Sequence, residues 1–229
     1  MLKKFLALIL AGAVALSAIP VFAENAAEKF TDVSKDSLYY DAIEYTCDTG
    51  IFYGTSDTEF SPEVQLTRGM FVTLLGRTYV NLYGDEGAPE EPVAETGFMD
   101  VFPDDYYGPS VCWAWQNGIV SGYSDELFAP NDILTKEQAV TILYRFAEYA
   151  KEDIHAGEDT NILSFEDYDD ISKYAIPAIQ WGTGFNVINS EGVFIEPQHK
   201  VTRAETAELL YNYVTSWLNR RGDREVTEE

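Results

Sequence analysis

The chain has 229 residues, 46% hydrophobic and 24% charged, which is the make-up of one or two globular domains and not of a wholly disordered chain. Acids outnumber bases 39 to 15, for a formal net charge of −24. That balance argues strongly against a nucleic-acid binder, whose affinity comes from Lys and Arg neutralising phosphates, and against an anionic membrane surface. Two cysteines and two histidines leave little material for a zinc site.

The first element is an address. Met1 to Lys4 is a short basic leader, Phe5 to Ile19 is almost wholly apolar, and Pro20 breaks the run. Val21-Phe22-Ala23 then puts small or modest residues before a signal-peptidase cut, which predicts a signal peptide over residues 1–23 and a secreted chain from Glu24. The apolar run is shorter than the roughly 20 residues a membrane helix needs, so no membrane partner is expected after cleavage.

Beyond the leader the chain is one unit written three times. Phe30-Thr31-Asp32-Val33 recurs as Phe98-Met99-Asp100-Val101 and as Phe165-Glu166-Asp167-Tyr168. Nine residues after each Phe stands a tyrosine: Tyr39, Tyr107 and Tyr174. Ile43, Val111 and Ile179 come next, each with an aromatic two positions on (Tyr45, Trp113, Trp181). Gly50-Ile51-x-x-Gly54 matches Gly118-Ile119-x-x-Gly122, and Phe60-x-Pro62 matches Phe128-x-Pro130 and, loosely, Ile195-x-Pro197. Five residues after each proline comes Thr67, Thr135 or Thr202. Registered self-similarity of this kind is the signature of a repeat architecture. The copies span residues 24–82, 98–150 and 165–221, with linkers at 83–97 and 151–164 and a disordered tail at 222–229.

Each copy reads as helix, loop, helix. The first helix stops near Gly50 or Gly118, with Asn186 in the third copy. The loop holds Gly54 or Gly122, where positive φ is cheap. The second helix opens at the threonine, and Thr135 to Gln138 and Thr202 to Glu205 are capping boxes, whereas the first copy has Gly69-Met70 there. Inside it Phe71, Leu74, Leu75 and Thr78 keep helical spacing, as do Ala139, Ile142, Leu143 and Phe146, and Thr206, Leu209, Leu210 and Tyr213. A single copy buries too little to stand alone, so the three should share one core as an all-α, pseudo-threefold unit.

These motifs, in this order and spacing, resemble the S-layer homology family: an opening F-x-D-V, then G-I-x-x-G, F-x-P and a closing T-R-A-E, here Thr67-Arg68-Gly69-Met70, Thr135-Lys136-Glu137-Gln138 and Thr202-Arg203-Ala204-Glu205. The resemblance covers nearly all of the chain after the leader. It implies a three-lobed helical unit that anchors exported proteins to secondary cell-wall polysaccharide of Gram-positive-type bacteria. The ligand it implies is a pyruvate-ketal-bearing glycan, held in grooves between copies and contacted by the closing-motif arginine. Lys136 replaces that arginine in the second copy and loses its bidentate fork, so unequal grooves are expected.

The residues by themselves leave two readings open. A cation at the first position of a helix opposes its dipole, yet Arg68, Lys136 and Arg203 all stand there. They suit an anion at a helix start, or an ion pair with a carboxylate of the next copy. The resemblance favours the first, and the glycan-binding set it implies is Arg68, Lys136 and Arg203 with Thr67, Thr135 and Thr202, the groove-wall tyrosines Tyr39, Tyr107 and Tyr174, and Gly54 and Gly122. Trp113 and Trp181 fit core packing better than sugar stacking. Asp32, Asp100 and Asp167 read as helix caps or ties at the opening of each copy. Cys47 and Cys112 occupy unmatched positions and read as free, buried thiols.

No cofactor or metal is expected, because no calcium-loop pattern occurs, and no catalytic constellation is supported: His155 lies in a linker and His199 in a loop. Two other classes stay open. One is a surface protein-protein interaction module, with other surface-layer proteins as partners; the other is an acid-pair glycan hydrolase, since glycosidases need two carboxylates. The chain is expected to be a monomer at the cell surface.

Overall fold

The computed structural model describes residues 27–89, 96–155, 160–189 and 192–227; the expected signal peptide and its cut after Ala23 lie outside the described residues. Among the described residues six α-helices carry the fold: α1 Tyr40–Asp48, α2 Arg68–Tyr83, α3 Gly108–Gln116, α4 Lys136–Tyr149, α5 Ile176–Gly184 and α6 Arg203–Thr227. Each copy contributes a short first helix and a longer second one, so the all-α expectation holds. α6 runs on to Thr227 and takes up residues 222–227, which the sequence assigns to a tail.

Local chemistry sets the helix ends. Thr135 and Gln138 form a reciprocal capping box on α4, and Thr202 and Glu205 do the same on α6. On α2 the Thr67 hydroxyl accepts only the Met70 amide, because methionine has no group to return the bond. The first helices end on left-handed residues, Gly50, Gly118 and Asn186 (φ 74, 72 and 56°). Asparagine tolerates that conformation better than most side chains.

The repeat register slips once. Tyr39, Tyr107 and Ala175 occupy the residue before α1, α3 and α5. One extra residue precedes α5, so Ala175 is the counterpart of the two tyrosines and Tyr174 sits one position upstream. The regular count of tyrosines in the sequence is therefore not a structural equivalence.

The two helices of one copy are not the packed pair. α2 lies against α3, α4 against α5, and α6 against α1, so every second helix holds the first helix of the following copy and the third closes onto the first. At the axis the backbone makes a closed ring: Leu134 N–H donates to Leu66 O, Val201 N–H to Leu134 O, and Leu66 N–H to Val201 O, at 3.1, 3.1 and 2.9 Å. Leu74, Leu75, Ile142, Leu143, Leu209 and Leu210 are all buried, as expected. At the other end Phe146 of α4 meets Tyr79 of α2 and Tyr213 of α6. The Glu152 carboxylate just beyond α4 accepts the Tyr83 and Tyr213 hydroxyls and an Arg220 N–H. Trp113 and Trp181 are core residues, 6% and 1% exposed. Neither thiol is in a disulfide; Cys112 is buried, and Cys47 is half-buried with its pKa pushed up to about 11 by burial.

Candidate functional site

The junction between copies is a relay of hydrogen bonds used three times. Asp32 accepts the backbone amides of Phe60 and Ser61, Asp100 those of Phe128 and Ala129, and Asp167 those of Ile195 and Glu196. The aspartates thus tie the opening of each copy to its own F-x-P loop. That grip holds Ser61, Ala129 and Glu196 in the left-handed region (φ 60, 59 and 57°), which side chains avoid unless their surroundings enforce it.

The carbonyl at the start of the same loop faces the cation of the preceding copy. Arg68 donates from Nε to Phe128 O and from Nη2 to Ser121 O, at 3.0 and 3.1 Å. Arg203 donates likewise to Phe60 O and Tyr53 O, both at 2.8 Å. The guanidinium carbons lie 4.6 Å from the Phe128 and Phe60 ring centres, a cation–π distance. Lys136 has a single head group and reaches Ile195 O at 2.9 Å and the Glu196 carboxylate at 3.4 Å.

These cations are wedges before they are ligand hands. Arg68 and Arg203 are only 5% and 6% exposed, and burial lowers both guanidinium pKa values. The helix-start amides are also taken: Arg68 and Gly69 donate to Asp132 O and Pro130 O, Lys136 and Glu137 to His199 O and Pro197 O, and Arg203 and Ala204 to Val64 O and Pro62 O. The expectation of open helix starts that receive an anion is corrected by this geometry. The chain itself fills them, because a buried amide must find an acceptor.

Gly54 and Gly122 are glycines for a reason other than φ, since neither is left-handed. A Cβ on Gly54 would sit 2.5 Å from both the Phe30 ring and Ser56 O. One on Gly122 would collide with Ser124 O and the Phe98 ring. Close backbone approach is the constraint. Gly69 similarly leaves room for Tyr107, whose ring carbon would lie 2.9 Å from an added Cβ.

Three grooves flank the second helices. The α4 groove, of 250 Å3, is lined by Arg68, Arg145, Gln138, Thr141, the Ser121–Tyr123 loop and Tyr174 of the third copy. It contains two arginines and no carboxylate among its lining residues. The Tyr174 hydroxyl donates to the buried Glu137 carboxylate at 2.9 Å, which fixes that wall. The α6 groove, of 340 Å3, is lined by Lys136, Tyr39, Asn189, Phe194 and three acids, Glu196, Glu205 and Glu208. The α2 groove, of 560 Å3, is lined by Tyr53, Tyr106, Thr73, Arg77 and Asn81.

Of the expected set, the structure brings Arg68, Gly122 and Tyr174 to the α4 groove and Lys136 and Tyr39 to the α6 groove. Arg203 and Tyr107 are buried and line none of the three, and the threonines serve as caps. The groove residues that sequence reasoning misses are Arg77, Arg145 and Glu208. Their signal lies in the register: ten residues after Thr67 and Thr135 stands an arginine, and six after Thr202 stands a glutamate where the other copies have threonine.

The S-layer homology domain model matches residues 29–69, 97–140 and 164–207. The chain belongs to this family. Three tandem S-layer homology repeats account for the architecture, and each match takes in one opening aspartate and the threonine and cation of one closing motif. Among relatives, an endoglucanase of a Bacillus species is 26% identical over 79% of this chain and 18% of its own length. The surface-layer 125 kDa protein of Lysinibacillus sphaericus is 29% identical over 62% of the chain and 11% of its own length. The middle cell wall protein of Brevibacillus brevis is 28% identical over 65% and 14%. The chain spans less than a fifth of each of these relatives.

Proposed function

We propose that this chain is a cell-surface anchor that binds an anionic, pyruvate-bearing wall glycan, with the α4 groove as its main site. The observation that carries the reading is the charge of that groove: Arg68 and Arg145 line it and no acid is among its lining residues, in a protein of net charge −24. Arg145 has no hydrogen-bond or ion-pair partner among the described residues, so its donors are open to a carboxylate, where charge-assisted bonds contribute about 1.5–3 kcal/mol. Tyr123 and Tyr174, each 53% exposed, offer aromatic faces to a sugar ring. Surface-layer and wall proteins among the relatives support attachment to the cell surface, and export over the 1–23 leader is part of the same reading. A non-catalytic role is part of the same reading, supported by an endoglucanase likeness that reaches only 18% of that enzyme.

The test is calorimetric titration with purified wall polysaccharide before and after mild acid removes pyruvate ketals. Binding should fall at least about tenfold on acid treatment and in Arg145→Gln, with folding intact. Undiminished binding in either arm overturns the reading. Because the net charge repels the ligand at long range, moderate salt should leave affinity unharmed or improve it.

A further inference from the structure

Two junctions build the same place from opposite members. At the first, Gly69 leaves space for the ring of Tyr107, which is buried. At the second, the counterpart of Tyr107 is the small, buried Ala175, and the position of Gly69 is taken by Glu137. Glu137 is 3% exposed, and its carboxylate is satisfied by the segment before α5. Its Oε2 accepts the Ser172 amide at 2.9 Å, and its Oε1 accepts the Ser172 hydroxyl at 2.7 Å and the Tyr174 hydroxyl at 2.9 Å. The tyrosine held in this way is exposed and lines the α4 groove.

A phenol has one proton to give, and that of Tyr174 is spent on Glu137. Toward the groove its oxygen can only accept. Thr141, which lines the same groove, is in the same state, because its hydroxyl donates to the Glu137 carbonyl at 2.6 Å. One residue therefore takes the protons of two groove hydroxyls, one through its side chain and one through its backbone. Neither oxygen can serve a ligand carboxylate, and both suit a ligand O–H. Arg145 lines the groove as well, and its charge acts on the Tyr174 hydroxyl, so one sugar ring can meet the cation and the acceptor together.

We infer that Glu137 is a positioning residue that makes Tyr174 a hydrogen-bond acceptor, so that the α4 groove selects an acidic sugar with a free hydroxyl beside its carboxylate. This rests on the reading of that groove as the anionic-glycan site and adds what the sugar must carry besides its charge.

The probes are methyl glucoside bearing a 4,6-linked pyruvate ketal and its 2-deoxy and 3-deoxy forms, which lose one hydroxyl without added bulk. Each is titrated into the full secreted chain by calorimetry and by NMR of the amides of residues 120–123. One of the two deletions should weaken binding roughly three- to tenfold. That loss should disappear in Tyr174→Phe, which keeps the ring and removes the oxygen. It should disappear in Glu137→Gln too. The Ser172 N–H can only donate and claims the amide oxygen, which turns the amide NH2 toward Tyr174 and frees the tyrosine proton to face the groove. A purely structural Glu137 would move the urea midpoint and leave the hydroxyl preference in place. Tyr174→Phe decides alone should Glu137→Gln fail to fold. Ketal binding that Arg145→Gln weakens, with no hydroxyl preference or one kept in the folded variants, overturns this inference and leaves the anionic site standing. No binding of the intact ketal, or binding that Arg145→Gln leaves unmoved, sinks the anionic site and this inference with it.

Discussion

The Arg68 and Lys136 junctions occupy matching places in the fold and differ in how firmly they close. Arg68 spans two carbonyls of the next copy and packs on two rings, Phe128 and Tyr123. Lys136 reaches one carbonyl and a glutamate, with its side chain 22% exposed. The planar fork of arginine can serve two acceptors at once, and the point charge of lysine cannot. The groove beside Lys136 measures 340 Å3 against 250 Å3 beside Arg68, and three acids line it where none lines the other. The comparison divides the molecule into a frame of aspartate ties, cationic wedges and the axial backbone ring, and a set of outward positions on the second helices that are free to diverge.

The largest effect should come from removing the wedge. Arg68→Ala leaves the buried Phe128 O without a donor, at about 1–3 kcal/mol, and removes the packing on two rings, at about 0.5–2 kcal/mol, so a loss of about 2–5 kcal/mol is expected. Lys136→Ala should cost about 1 kcal/mol, because one carbonyl is involved and water can reach it. Urea denaturation of both variants measures the gap. Equal losses would mean that the two junctions are alike in strength and that the burial of Arg68 is incidental.

The frame is the part legible in the sequence. Its residues are fixed by backbone partners, so Asp32, Asp100 and Asp167, the F-x-P loops and the closing threonines recur at constant spacing and declare themselves in one chain. Sequence misleads on Arg68 and Arg203 for a physical reason: a cation at a helix start looks like an invitation to an anion until the acceptors of the partner copy, 60 and 143 residues away, are seen. The extra residue before α5 is hidden by the chance placement of Tyr174. The groove positions are hardest to read, because they vary between copies and a search for sameness passes over them.

A charge transplant tests whether groove chemistry is separable from the frame. Glu208→Thr with Asn212→Arg gives the α6 groove the side chains of the α4 groove at those positions. It should gain affinity for the anionic wall glycan by about tenfold, roughly 1.4 kcal/mol. The mirror pair, Thr141→Glu with Arg145→Asn, should lose a similar amount at the α4 groove. Calorimetry on both double variants decides it. If neither moves, selectivity resides in the loops and not on the helix faces.

Lys136→Arg should stabilise the fold by about 1 kcal/mol. The fork would keep Ile195 O and gain the carbonyl of Asn189, the counterpart of Ser121 and Tyr53. A higher urea midpoint at an unchanged slope is the expected sign. A lower midpoint would show that this junction has relaxed around lysine and no longer admits the arginine geometry.

The smallest effect is a pH dependence, and it bears on whether the acids of the α6 groove are a surplus or a structural pair with Lys136. Burial raises the Glu208 pKa above its ordinary value of 4.5. The folded chain therefore holds that proton more tightly than the unfolded chain. The stability this supplies is complete below the unfolded pKa and is lost as pH rises through the folded one. Glu208→Gln removes that dependence. Wild type and variant should match near about pH 4 and separate toward about pH 7, with the variant the more stable. Because the carboxylate is only half-buried, solvent screening keeps the difference below about 1 kcal/mol. Urea titrations at the two pH values would resolve its sign. A variant less stable at neutral pH would mean that ionised Glu208 repays its burial through Asn189 and Lys136, which would make the acidic groove part of the frame.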